Sequence, residues 1–306
     1  MKETTFTLKS PVDGLNLSCL MVEPEGEVRA LIVMSHGVME HKERYLPIMR
    51  RFAEFGFASA INDQRGNGQS VKEAQDDGFT YGAGSDGILR DMRALAEHLM
   101  GLYPGKKQFL FGHSMGALCC LGYLKRYGKD VNGVILSGLP AANGAVGAGK
   151  AYIKLKKRFK GARYRDENVN KLMTGNYASR FAGETSPFCW LNSDPARVSE
   201  YEQDPLCGRI YTLDGCLSVL DMMSEAYDDK GWDKVSSMCP VFIAVGENDP
   251  CAEGEKGASE GERFLKRVGL VRAEHKSYER MRHEILNEPE AEKPIHDMLN
   301  RLVAWL

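Results

Sequence analysis

Hydrophobic positions along this chain fall into two alternating rhythms. Short apolar runs at residues 30–35, 57–62, 108–112, 134–137 and 240–246 read as buried strands. Between them, apolar positions recur at helical spacing over 45–55, 88–102 and 117–127. Gly56, Pro104-Gly105 and Gly128 supply the stop signals. Residues 4–9 and 15–22 flank Asp13-Gly14 and predict an N-terminal hairpin. Strands alternating with helices of this length predict a parallel sheet covered by helices on both faces. The rhythm breaks after Gly138: residues 140–232 contain helical and irregular polar stretches and no apolar strand. It resumes at 240–246, followed by a helix at 261–268, a strand at 275–278 and a closing helix that ends in Val303-Ala304-Trp305-Leu306. The pattern predicts one α/β core, 1–139 with 233–306, and a mainly helical lid, 140–232, inserted after the sixth strand.

Composition narrows the function classes. The 306 residues carry a net charge of -2, which gives no overall field for nucleic acid. The N-terminal residues lack the apolar stretch of a secretory signal, and no apolar run approaches the length of a membrane span. Eight cysteines show no C-x-x-C pair and no metal-finger spacing, which predicts a reduced, cytoplasmic protein.

The candidate chemistry starts at Gly112-His113-Ser114-Met115-Gly116, a G-x-S-x-G pattern between a predicted strand and a predicted helix. A strand turning sharply into a helix strains its corner residue, and small residues two before and two after let the backbones approach. A serine hydroxyl at that corner needs a base, and the base an orienting carboxylate. The chain order Ser, acid, His then selects Asp249, just past the apolar strand, and His283, past the last strand. Glu247 competes as the acid and His275 as the base. Glu247 carries a longer arm two residues early, and His275 begins its predicted strand at the wrong edge. Oxyanion donors are expected from the amides of Met115 and Val38, where Gly37 allows close approach to the reacting carbon. His113 packs beside the nucleophile and, with Gly37, is a substrate-side candidate. His41 supports the loop after the first buried strand, and His98 and His296 read as helix-surface residues.

At this point a resemblance is evident. His36-Gly37-Val38-Met39-Glu40-His41 with Arg44-Tyr45, Asp63-Gln64-Arg65-Gly66-Asn67-Gly68-Gln69-Ser70, the G-H-S-M-G pentapeptide, and Arg282-His283-Glu284-Ile285-Leu286-Asn287-Glu288 resemble, in order, motifs of the monoglyceride lipase and lysophospholipase branch of the α/β-hydrolases, a group also described as serine aminopeptidase-like. Trp190-Leu191 and Tyr201 with Asp204-Pro205-Leu206-Cys207-Gly208 are similar to lid segments of bacterial members. Gln64 and Asn67 stand where histidines are frequent, and Lys42-Glu43 replaces a small pair. The resemblance implies hydrolysis of monoacylglycerols, lysophospholipids or comparable acyl esters without a cofactor. A peptidase or amidase using the same triad is the alternative.

Two motifs fail their context. Gly82–Gly87 satisfies G-x-G-x-x-G but follows no buried strand, so no dinucleotide is expected. His283-Glu284 opens like a zinc-binding helix but Asn287 stands where the second histidine belongs, so no metal is expected. Residues 149–165 gather Lys150, Lys154, Lys156, Lys157, Arg158, Lys160, Arg163 and Arg165 without an acid. A solvated lid face is one reading; peripheral contact of Lys150 to Arg165 with an anionic lipid surface, helped by Tyr152, Leu155 and Phe159, is the other. Leu213, Leu217, Leu220, Met222 and Met223 recur at roughly helical spacing. They predict lid packing, with Leu213 and Leu217 as candidate walls of an acyl pocket.

Overall fold

The computed structural model describes residues 1–173 and 177–306, so residues 174–176 of the expected insertion lie outside the described residues. In chain order the elements are β1 Lys2–Lys9, β2 Asn16–Glu23, β3 Ala30–Ser35, α1 Leu46–Glu54, β4 Phe57–Asn62, α2 Gly84–Leu102, β5 Gln108–His113, α3 Met115–Tyr127 and β6 Gly133–Ser137. Then follow α4 Val146–Lys160, α5 Glu167–Met173, α6 Pro195–Gln203, α7 Leu213–Ala226, β7 Val241–Gly246, α8 Gly254–Arg267, β8 Ala273–Tyr278 and α9 Glu292–Ala304. The strands form one sheet in the order β1-β2-β4-β3-β5-β6-β7-β8. The N-terminal hairpin joins antiparallel, and every pairing from β4 to β8 is parallel.

Burial follows the strand period of two. On β3, Leu31 and Val33 face the layer of α2, α3 and α8, while Ala30, Ile32 and Met34 face α1 and α9. On β5, Leu110 faces the first layer and Phe109 and Phe111 the second. Helices α1 and α2 answer with one apolar stripe each, Ile48, Met49 and Phe52 from α1, and Ile88, Met92, Leu95 and Leu99 from α2. Such side chains contribute roughly 1.5–3 kcal/mol each when fully buried.

Two helices start earlier than their apolar spacing predicts. The polar, glycine-rich first turns of α2 and α8 extend them back to Gly84 and Gly254. Gly257 shows why sequence hydrophobicity misses such a turn: a Cβ there would lie 1.9 Å from the Ala252 carbonyl oxygen, so bare backbone makes the contact. Between β6 and β7 the described residues form no strand, only an isolated bridge of Arg165 to Thr212. Helices α4 and α7 pack together around Ile153, Leu213 and Cys216. No described helix is long and apolar enough to cross a membrane.

Candidate active site

Ser114 sits between β5 and α3 with φ 54° and ψ −121°, a conformation that costs a non-glycine residue on the order of 1–3 kcal/mol. The flanking glycines explain how the chain tolerates the corner. A Cβ on Gly112 would lie 2.2 Å from the Gly116 carbonyl oxygen, and one on Gly116 only 2.0 Å from that of Ser35. Strand and helix therefore touch backbone to backbone, and Ser114 caps the N-terminus of α3 at the C-terminal edge of the sheet.

Asp249 and His283 come to the same edge. Asp249 is buried after β7, where its Oδ1 accepts from the amides of Cys251 (2.8 Å) and Ala252 (3.1 Å). Its other oxygen, Oδ2, lies 2.8 Å from His283 Nδ1. Burial alone would lower the His283 pKa, but the Asp249 carboxylate outweighs it and the net shift is upward. The second ring nitrogen, Nε2, is buried with no hydrogen-bond partner among the described residues. His283 lines a small cleft together with Ser114, Gly37, Val38, His113 and Trp190.

Each competing residue lies elsewhere. Glu247 is exposed. His275 lies inside β8, held between Glu255 and Glu262. His113 lies 4.8 Å from His283, ring centre to ring centre; burial and the neighbouring His283 push its pKa down to about 4. Gly37 lies against the nucleophile: a Cβ there would stand 3.2 Å from Ser114 Cβ. Val38 and Met115 border the larger cavity beside Ser114.

That cavity holds about 700 Å3 and runs under the β6–β7 segment. Its walls include Leu118, Ile153, Trp190, Val219, Leu220 and Met223. This corrects one expectation. Leu213 and Leu217 do not line the cavity; Leu213 is fully buried in the small core with Met39 and Ile153, and Leu217 packs against it. The helical spacing identified an apolar helix but could not say which of its faces met empty space.

Sequence reasoning also missed a buried ionic chain behind the cleft. Glu40 Oε1 accepts from the Gly37 amide (2.5 Å) and the Tyr45 hydroxyl (2.7 Å). Its Oε2 pairs with Arg44 (2.5 Å), which also reaches Glu284 (2.7 Å), the neighbour of His283. Although burial alone would raise the Glu40 pKa, the Arg44 guanidinium holds it well below the usual carboxylate range. Glu40, Arg44, Tyr45 and Glu284 all belonged to recognised motifs, but motif membership alone gave them no role. Trp190, whose ring centre lies 4.9 Å from that of His283, was visible only through the resemblance.

His41, Asp204 and Cys207 bring possible metal-ligand atoms within 4.8 Å of one another. Both ring nitrogens of His41 are already engaged, Nδ1 by Glu43 at 2.6 Å and Nε2 by Asp204 at 2.8 Å. The cluster therefore works as an ion-pair tether between the core and the β6–β7 segment.

The sheet order, the strained serine corner and the histidine–carboxylate pair at one edge define an α/β-hydrolase. More narrowly, the chain belongs to the serine aminopeptidase S33 family, whose profile matches residues 26–290. Among its relatives, a monoacylglycerol lipase of Mycolicibacterium smegmatis is 24% identical over 96% of this chain and 95% of its own. The human monoglyceride lipase is 34% identical over 43% of this chain and 42% of its own. In three dimensions, a thermostable carboxyl esterase from Bacillus coagulans, crystallised with glycerol, superposes with a TM-score of 0.92 at 23% identity, covering 99% of both chains.

Proposed function

We propose that this protein is a carboxylic ester hydrolase that cleaves monoacylglycerols, lysophospholipids or similar acyl esters through a covalent acyl-enzyme on Ser114. In this reading His283 Nε2 takes the Ser114 proton while Oγ attacks the ester carbonyl. Asp249 fixes the imidazole tautomer with Nδ1–H directed at its carboxylate. The amides of Val38 and Met115 receive the oxyanion; each such donor is worth roughly 3 kcal/mol when aimed at the developing charge. Expulsion of the alcohol takes the proton back from His283, and water activated by the same ring then releases the acid. The observation that carries this reading is the buried imidazole bonded to Asp249 on one nitrogen and without a partner on the other among the described residues, in a histidine that lines one cleft with Ser114.

The names of the relatives, monoacylglycerol lipase and monoglyceride lipase, support esters over amides. The apolar cavity beside Ser114 suits an acyl chain. Turnover of p-nitrophenyl esters of increasing chain length, run beside aminoacyl anilides, tests the assignment. Preference for the esters is expected, and preference for the anilides overturns it in favour of a peptidase. The segment 140–232 would act as a lid over that cavity, and the eight free cysteines suit a reducing cytoplasm.

The lid also supports peripheral contact with a lipid surface. Of its basic residues, Lys150, Lys156, Lys157 and Arg163 pair with Asp221, Asp166, Asp214 and Asp76, and Arg165 donates to backbone carbonyls. Lys154, Arg158 and Lys160 have no acidic partner among the described residues, and they share α4 with the exposed Tyr152, Leu155 and Phe159.

A further inference from the structure

The loop that carries Val38 does not hold its shape alone. Met39, the next residue, lies in the left-handed region at φ 60°, which disfavours a residue with a side chain. Such a conformation persists only where its surroundings over-determine it. Here the surroundings come from a distant part of the chain. The Met39 amide donates to the Tyr211 hydroxyl oxygen (3.2 Å), and the Met39 carbonyl accepts from the Tyr201 hydroxyl (2.9 Å) and the Gly208 amide (2.9 Å). All three partners lie within residues 201–211 of the β6–β7 segment. The Tyr211 hydroxyl in turn donates a hydrogen bond to Asn67 Oδ1 in the core, so the clamp is anchored on both sides. Both tyrosines are buried, and the Tyr201 ring is further pinned under the Arg44 guanidinium, 5.0 Å from its centre.

We propose that Tyr201 and Tyr211 are positioning residues for the oxyanion hole: by gripping Met39 they aim the Val38 amide, so the inserted segment completes the catalytic geometry as well as covering the cavity. This rests on the reading of Val38 as an oxyanion donor and goes beyond it by assigning the aim of that donor to the insertion. The stabilisation by an oxyanion-hole donor depends on its direction at the moment charge develops. Releasing Met39 therefore costs turnover rather than ground-state binding.

The test compares Tyr211→Phe and the double variant Tyr201→Phe/Tyr211→Phe with wild type on a short-chain p-nitrophenyl ester. The expected result is a fall in kcat of about tenfold for the single variant and more for the double, with KM within about twofold. A trifluoromethyl ketone inhibitor supplies the second readout. Ser114 Oγ bonds to its carbonyl carbon, the serine proton moves to His283, and the carbonyl electron pair becomes an oxyanion in the hole. Its affinity should weaken in parallel with kcat/KM. Tyr227→Phe removes a hydroxyl from the same segment, one bonded to the Pro140 carbonyl, and serves as the control with unchanged kcat.

Unchanged kcat in the double variant, a rise in KM alone, or an equal loss in the Tyr227 control overturns the proposal. Should the double variant fail to fold, the single Tyr211→Phe substitution carries the same test. Ser114→Ala separates this inference from the reading beneath it. Activity that survives that change removes the serine mechanism itself, whereas its abolition beside fully active tyrosine variants removes only the clamp.

Discussion

At the scale of single residues, in the proposed mechanism the pair of His283 and Asp249 would set the pH at which the chemistry can run. His283 acts as a base only when neutral, and the Asp249 carboxylate, prevailing over burial, raises its pKa above the ordinary 6.5. The activity of the free enzyme, kcat/KM, should therefore fall on the acid side through a midpoint above 6.5. His113, pushed down to about 4, is neutral throughout that range and adds no limb of its own. Asp249→Asn removes the main upward influence. It should lower kcat about 10⁴-fold and move the acid limb to lower pH, which a pH profile of ester turnover reads directly. Ser114→Ala should lose about 10⁶-fold in kcat with its thermal unfolding unchanged; a much smaller loss would mean that another nucleophile is in use. The meeting of Ser114, Asp249 and His283 at one sheet edge was legible because the proposed chemistry demands fixed residue types after particular strands. The supporting chain of Glu40, Arg44 and Glu284 was not, because its meaning depends on the contact of Arg44 with Glu284, 240 positions away in sequence.

At the scale of elements, the contact of β5 and α3 with the end of β3 is made by glycine, and strands β3 to β7 were plain in the sequence because both of their faces are buried. The helices that begin on small or polar residues were not, since Gly84 and Gly254 carry no hydrophobic signal. Gly116→Ala tests how far the elbow depends on that contact. Its Cβ would meet the Ser35 backbone, which has no flexible end to yield, so urea denaturation should show a loss of at least about 2 kcal/mol. The tether at His41 responds instead to pH. Burial would lower its pKa, but Glu43 and Asp204 raise it, so the folded state holds the proton to a higher pH than the unfolded chain does. Its stabilisation is complete below about 6.5 and is lost as pH rises through the raised folded value. His41→Gln should flatten that part of the dependence, so the unfolding free energies of variant and wild type converge over the pH range above 6.5. A constant gap across that interval would show that the tether does not titrate.

At the scale of the whole molecule, the serine, histidine and aspartate lie at one edge of the sheet, and the segment between β6 and β7 packs beside them. Trp190 lies against His283, the residues 201–211 hold Met39, and α7 lines the cavity with Val219, Leu220 and Met223. The outer face of α4 belongs to this arrangement. Tyr152 reaches both solvent and the cavity wall, so the apolar patch it forms with Leu155 and Phe159 adjoins the space proposed for the acyl chain. Phe159 is 76% exposed, which in water is unfavourable for so large a ring and in a lipid interface is not. Lys154, Arg158 and Lys160, which have no acidic partner among the described residues, would add an attraction to anionic headgroups that salt screens. Two sets of changes separate these contributions, Leu155→Ser with Phe159→Ser, and Lys154→Gln, Arg158→Gln and Lys160→Gln together. Binding to vesicles of anionic phospholipid should weaken severalfold in each set, and the charge variant alone should lose most of its salt dependence. None of these five side chains lines the cavity, so hydrolysis of a short soluble ester should stay within about twofold of wild type. Vesicle binding that ignores both sets would assign the face to solvent, and the ester would then reach Ser114 from solution.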